Sequence, residues 1–180
     1  LQKIFKANDS FRSAPTALPN GGWAVSSQDK RVYLLNSEGH LTTAVHFSSP
    51  NLSRPVVFGD VSFLIASENT VYFQNFSGDF LNLFTTGGRA NLPLAINHEL
   101  FVVGDSLGNI NFVDRNAKAL KTISLEGSFI VPFTLVNNDT IVAAATLNPQ
   151  QGSVLYFLDL EGKEKRRFQF KSFSLSQATH

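Results

Sequence analysis

The sequence contains neither cysteine nor methionine, and its only tryptophan is Trp23. Without cysteine the chain has no disulfides, no thiolate metal site and no thiol nucleophile, and cysteine usage leaves its redox compartment open. Translation starts with methionine, so a chain that has none and begins at Leu1 is expected to be a processed or excised piece of a longer product.

Charge is also scarce. Charged residues make up 16% of the chain, and 15 Lys and Arg against 14 Asp and Glu leave a net charge of +1. This balance predicts no general attraction to nucleic acid or to anionic membranes. No run approaches the roughly 18 apolar residues that span a bilayer, so no membrane span is expected, although a lipid anchor on the parent protein would be compatible.

One motif of about ten residues occurs four times. Its copies are VYLLNSEGHL (Val32–Leu41), VYFQNFSGDFL (Val71–Leu81), INFVDRNAKAL (Ile110–Leu120) and LYFLDLEGKE (Leu155–Glu164), which start 39, 39 and 45 residues apart. Prolines precede the copies by 17, 16, 17 and 23 residues, at Pro15, Pro55, Pro93 and Pro132. The last interval is longer because residues 147–152 are inserted. The motif and the prolines recur at the same period, which predicts four repeats of about 40 residues.

Each repeat is predicted to hold four short strands, and the third strand is apolar on both faces, as in Val-Tyr-Leu-Leu. A strand of this kind is typical of a sheet that is covered on both sides. Four-stranded antiparallel sheets that stack face to face around an axis supply that burial, and the 17 phenylalanines suit the gaps between them. The predicted fold class is therefore all-β, a β-propeller.

The predicted blades are residues 15–54, 55–92, 93–131 and 132–180, and residues 1–14 are expected to add an outer strand of a preceding blade. The last range includes the start of a next blade, at residues 172–177. This gives five outer strands but only four sets of the inner three. We therefore expect an open arc of a larger propeller of seven or eight blades. Its end sheets would need missing blades or self-association to cover them. The alternative is that two chains close a ring together.

The turn after each third strand has its own chemistry. A short polar residue that can accept a backbone N–H occupies the same place in each copy, at Asn36, Asn75, Asp114 and Asp159. Three residues later a positive φ is expected, and glycine stands there in three copies, at Gly39, Gly78 and Gly162. The third copy has Ala117 at this place, and either Asn116 or Ala117 is expected to adopt the positive φ there, with Asn116 favoured.

The repeat resembles the pyrroloquinoline-quinone-like (PQQ-like) β-propeller repeat. The matching segments of the second copy are Pro55, Gly59-Asp60, Val71-Tyr72 and Asn75-Phe76-Ser77-Gly78, and those of the fourth are Pro132, Asn137-Asn138 and Leu155 through Lys163. The resemblance covers nearly the whole chain, but no blade has the tryptophan that the family usually carries in its fourth strand. It is greatest for the non-enzymatic outer-membrane assembly scaffolds, and implies an extracytoplasmic, periplasmic or secreted, location.

Sites for cofactors, metals and nucleic acid are not expected. In the quinoproteins that this repeat resembles, the cofactor typically stacks on a tryptophan near vicinal cysteines. The chain has no cysteine, and packing in a second strand explains its single tryptophan, Trp23. Asp105, Asn109, Asn111 and Asp114 are oxygen-bearing residues close together, but they do not have the spacing of a calcium loop. The basic run from Lys163 to Lys171 alternates with phenylalanines, which would suit single-stranded nucleic acid, but a charged outer-edge strand with its apolar side inward explains it as well.

The function that these observations favour is a non-catalytic scaffold that binds a partner protein through loops on one face of the propeller. Those loops are the links between blades and the hairpins between second and third strands. The candidate partner-binding residues are Arg54, Arg89, Asn91, Phe129, Asn148, Gln150 and Gln151. The alternatives are the cofactor-free portion of a quinoprotein dehydrogenase and a ligand-sensing module attached to another domain.

Overall fold

The computed structural model describes residues 5–148 and 150–171, which contain sixteen β-strands. The strands are β1 (Thr16–Ala17), β2 (Trp23–Ser27), β3 (Arg31–Leu35), β4 (Leu41–His46), β5 (Val56–Phe58), β6 (Ser62–Ser67), β7 (Thr70–Asn75), β8 (Phe80–Thr85), β9 (Leu94–Ala95), β10 (Leu100–Gly104), β11 (Asn109–Asp114), β12 (Ala119–Ser124), β13 (Thr134–Val136), β14 (Thr140–Thr146), β15 (Ser153–Leu158) and β16 (Glu164–Phe170). Nothing in these ranges forms a helix that could cross a membrane. The predicted all-β class is confirmed.

The strands form four antiparallel sheets of four strands, each in chain order. The first strand of each sheet lies toward the centre of the arc, because β5 and β9 of neighbouring sheets are in contact. Hydrogen bonds also join neighbouring sheets at this inner end: the Thr16 hydroxyl donates to the Pro55 carbonyl (2.7 Å), and the Asn91 amide donates to the Val131 carbonyl (2.9 Å). The predicted blade architecture is therefore confirmed.

Three apolar clusters hold consecutive blades together, and the third strands contribute to clusters on both of their faces. In β11, for example, Ile110 and Phe112 pack toward the fourth blade, while Val113 packs toward the second. A further cluster joins the first blade to the second, through residues such as Phe47 and Phe63. Among the described residues no cluster joins the first blade to the fourth. This sequential packing is that of an open arc.

The turns that follow the third strands have the expected geometry. The Asn36 side-chain oxygen accepts from the backbone N–H of Glu38 (3.0 Å) and His40 (2.9 Å), and Gly39 has φ 81°. Gly78 (φ 94°) and Gly162 (φ 77°) repeat this geometry. In the third blade the positive φ belongs to Ala117 (61°), one of the two expected residues, and not to the favoured Asn116.

The reason lies in the preceding aspartate. The Asp114 carboxylate accepts from the backbone N–H of Asn116 and of Lys118, both at 2.9 Å, which sets the path of the turn. The residue between these two donors must then take the left-handed conformation whatever its side chain is.

The chain's own N-terminal segment covers part of the first blade's outer face. Ala7 is buried with Val25 and Tyr33, and Phe5 packs against them with its ring 4.9 Å from that of Tyr33. The extra outer strand predicted here falls partly outside the described residues, and residues 5–7 form no strand. Residues 172–177, predicted to open a further blade, lie outside the described residues.

The basic run forms β16, the outermost strand of the fourth blade, as predicted. Its apolar side chains do not face inward, because all seven residues are exposed, among them Phe168 and Phe170. Arg166 lies over the ring of Phe168, with its guanidinium carbon 4.2 Å from the ring centroid.

Candidate functional site

The links between blades and the hairpins between second and third strands lie on the same side of the arc. In each blade one link residue pairs with a residue at or next to the end of the second strand, as the bridges Phe11–Ser27, Leu52–Ser67, Ala90–Asp105 and Ser128–Thr146 show. We call this side the link–hairpin face. The sequence-based expectation that both kinds of loop open on one face is correct.

The links of all four blades meet around one cavity on this face, of about 610 Å³, which we call the hub cavity. They converge because each link leads into a first strand, and the first strands are the innermost. Arg12 comes from the first link, Arg54 from the second, Arg89 from the third and Ile130 from the fourth. Side chains that are far apart in sequence thus share one opening.

Three of the cavity's side chains are exposed arginines, at positions 12, 54 and 89. In the described part of the chain none of them lies within 4.0 Å of a carboxylate oxygen. The Arg12 guanidinium donates to the Asn51 side-chain oxygen (3.2 Å), whereas no hydrogen bond of the Arg54 or Arg89 guanidinium to another described residue is found. Two cations are therefore available to a ligand.

One carboxylate, that of Glu68, also lines the hub cavity, but the chain's own donors hold it. One of its oxygens accepts from the Asn51 amide (2.7 Å) and from the Ser49 hydroxyl (2.8 Å). These hydrogen bonds, together with the attraction of Arg89, keep the pKa of the Glu68 carboxyl below its ordinary value. The cavity therefore keeps an excess of positive charge at neutral pH.

The apolar part of the lining includes Ile130, whose side chain is 57% exposed, together with Leu52 and Leu92. The cavity thus offers an exposed apolar contact beside exposed cations. This combination suits the side chains of a polypeptide, since aromatic or aliphatic anchors ringed by polar groups are typical of protein interfaces.

The predicted site residues separate into two groups. Arg54, Arg89 and Asn91 line the hub cavity together, although the Asn91 side chain is used inside the protein: it is 3% exposed, accepts from the Gly104 N–H (3.0 Å) and donates to the Val131 carbonyl. The inclusion of Phe129 was wrong. Its ring is fully buried against Phe133 and Tyr156, so it cannot touch a partner.

The inserted loop supplies Asn148, Gln150 and Gln151, which are exposed but do not line the hub cavity. The Asn148 side-chain oxygen accepts from the backbone N–H groups of Gln150 (3.1 Å) and Gln151 (2.9 Å), which shapes the loop. A binding role for these three residues stays a prediction.

Sequence reasoning missed Arg12, Glu68 and Ile130. Arg12 could have been found, because it lies in the link before Pro15 as Arg54 lies before Pro55 and Arg89 before Pro93. The places of Glu68 and Ile130 in the cavity depend on how neighbouring blades pack.

A stacked quinone does not fit the hub cavity. No aromatic ring lines it within the described residues, and Trp23 begins β2 outside the cavity, with 41% of its surface exposed. Planar cofactors of this kind stack on a flat aromatic surface, which the described lining of the hub cavity lacks.

Comparison with known proteins identifies the fold and no more. No family model matches the chain, and no curated protein matches it. Among solved structures it is similar to BamB from Moraxella catarrhalis, with a TM-score of 0.77 and 16% identity over 96% of this chain and 56% of that one. It is also similar to the WD40 β-propeller domain of Doa1, with a TM-score of 0.68 and 19% identity over 83% and 51%.

A third similar structure is a protein of unknown function from Bacteroides caccae, with a TM-score of 0.61 and 16% identity over 91% of this chain and 62% of that one. The chain thus spans little more than half the length of these solved chains. It has the β-propeller fold, and its four blades correspond to part of a propeller.

Proposed function

We propose that the chain is a non-catalytic protein-interaction module of the PQQ-like propeller type, that its link–hairpin face binds a partner protein, and that it works outside the cytoplasm. The observation that carries this proposal is the hub cavity, where links from all four blades place exposed arginines and an exposed isoleucine around one opening. Loops on a rigid scaffold are where binding groups collect.

Backbone bridges and hydrogen bonds between blades fix the loops of this face in place before a partner binds. The links are held by bridges to the second strands and by hydrogen bonds between neighbouring blades, such as the one from Asn91 to Val131. A face built on buried, paired backbone does not need to be ordered when the partner arrives, so little entropy is lost on binding. The resemblance to extracytoplasmic scaffold proteins supports the proposed location.

The test is site-specific photo-crosslinking of the protein in the cells that make it. A photoreactive amino acid replaces Arg89 in the hub cavity, and in a matched control it replaces Glu38, which is exposed in the β3–β4 turn at the opposite end of its blade. We expect a covalent protein adduct from position 89 and not from position 38. Adducts of equal yield from both positions, or none from position 89, would contradict the proposal.

A further inference from the structure

The arginines of this protein fall into two sets. Outside the hub cavity, Arg31, Arg115 and Arg167 each lie within 3.5 Å of a carboxylate, at Asp29, Glu99 and Glu164, and Arg166 stacks on Phe168. The remaining three of the seven arginines have no carboxylate oxygen within 4.0 Å among the described residues, and all three line the hub cavity. The unpaired arginines are thus concentrated at the one place where the links converge.

Paired and unpaired arginines occur on the surface of the same small protein, so the absence of partners in the hub cavity is specific to that site. The chain has almost as many acidic residues as basic ones, 14 against 15, so a shortage of carboxylates does not explain the unpaired set. The one carboxylate in the cavity, Glu68, accepts instead from Asn51 and Ser49. Arg89 attracts Glu68, but no carboxylate oxygen of the described residues lies within 4.0 Å of the Arg54 or Arg89 guanidinium, so both can meet a carboxylate from outside.

From this arrangement, and on the basis of the proposed function, we infer that the hub cavity binds an acidic segment of a partner protein, with carboxylates on Arg54 and Arg89 and an apolar side chain against Ile130. Arginine suits this role because its planar guanidinium matches a carboxylate with two parallel hydrogen bonds. The exposed Ile130 adds an apolar contact that an ion or a simple polyanion would leave uncovered. Complementary charge also speeds the encounter of the two proteins.

The probe is a short synthetic peptide that alternates glutamate with leucine, and its binding to the purified chain is measured by fluorescence anisotropy. The comparison ligands are the same peptide with lysine in place of glutamate, and a single-stranded oligothymidine of equal charge. We expect the acidic peptide alone to bind measurably, and its affinity to fall as salt is raised, because exposed charges are screened over about 10 Å at 0.1 M salt.

The test variant is Arg54→Glu with Arg89→Glu, and the matched control is Lys163→Glu with Lys171→Glu. Both double variants change the net charge by the same amount, and the control lysines are exposed and do not line the hub cavity. We expect the test variant to bind the acidic peptide at least about tenfold more weakly, since two attractions between exposed charges become two repulsions. The control variant should bind like the unmodified chain, and neither variant should lower the melting temperature.

Equal binding of the acidic peptide by both double variants would overturn the inference, and so would tighter binding of the oligothymidine than of the peptide. The replacement Ile130→Ser tests the apolar contact separately: it should weaken the binding of the acidic peptide without changing the salt dependence of that binding. If position 89 forms protein adducts in cells while no acidic peptide binds, the acidic chemistry is wrong and the proposed function stands. If no adduct forms there, the proposed function fails as well.

Discussion

Gln74, in the middle of the second blade, offers the sharpest test of how this arc is stabilised. It lies in β7 opposite Phe63 and Phe80, and its side chain is completely buried. Within the described part of the chain neither atom of its amide has a hydrogen-bond partner. We therefore expect Gln74→Met, which keeps the length of the side chain and removes the polar atoms, to stabilise the fold.

The magnitude follows from the cost of burying a polar group that makes no hydrogen bond. Such a group costs about 1–3 kcal/mol, and methionine adapts well to an irregular apolar site. We expect the free energy of unfolding to rise by about 1–3 kcal/mol. For a domain of this size a gain of 2 kcal/mol corresponds to a melting temperature about 4–8 °C higher.

The assay is urea unfolding followed by circular dichroism, with thermal unfolding alongside. Gln28→Met is the matched control, because Gln28 is exposed and the same chemical change there should leave stability unaltered. Gln74→Glu should be strongly destabilising, since it buries a charge with no partner. A Gln74→Met protein that is less stable than the unmodified chain would show that the amide is hydrogen bonded in solution, and the reasoning would fail.

Three further substitutions test the stability of the turns and the loss of stability at low pH. Ala117→Gly should stabilise by roughly 0.5–1 kcal/mol in urea unfolding, because glycine adopts φ 61° without the cost that a β-carbon brings, and a loss would contradict this. Asp105→Ala should cost about 3 kcal/mol in the same assay, since the buried carboxylate accepts from the backbone N–H groups of Leu107 and Asn109, and an unchanged midpoint would refute it. Burial raises the pKa of Asp29, but hydrogen bonds from Tyr33, Ser27 and Arg31 outweigh it and set the pKa below its ordinary value. The resulting stability is present above pH about 4 and is lost as the pH falls through the lowered pKa. When unfolding is measured against pH, the free energy of unfolding of Asp29→Asn should therefore fall less steeply below pH about 4 than that of the unmodified chain.

Much of the fold was predictable because similar residues occur at equivalent positions in all four repeats. The four short strands of each repeat, the polar residue after each third strand and the positive φ at Gly39, Gly78 and Gly162 all depend on neighbours in sequence. The choice between Asn116 and Ala117 has a local cause too, since the hydrogen bonds of Asp114 decide which residue takes the left-handed conformation. Side-chain preference was the weaker of the two effects.

The binding site was less predictable, because a link residue can point into the cavity, between two blades or into the core. Arg54, Asn91 and Phe129 all lie in links, yet Arg54 is exposed, Asn91 bonds to its own chain and Phe129 is fully buried. Sequence spacing cannot separate these outcomes, since they depend on the blade that packs alongside.

The amino-acid sequence by itself determined the number of repeats, the order of the strands and the geometry of the turns, because hydrogen bonding and the alternation of side chains are local. Only the tertiary structure decided that Arg12 joins Arg54 and Arg89, that Glu68 is held by Asn51, and that Gln74 is buried without a partner. These facts arise where separate blades meet. Contacts of that kind depend on the packing angle and distance between sheets, which no short stretch of sequence encodes.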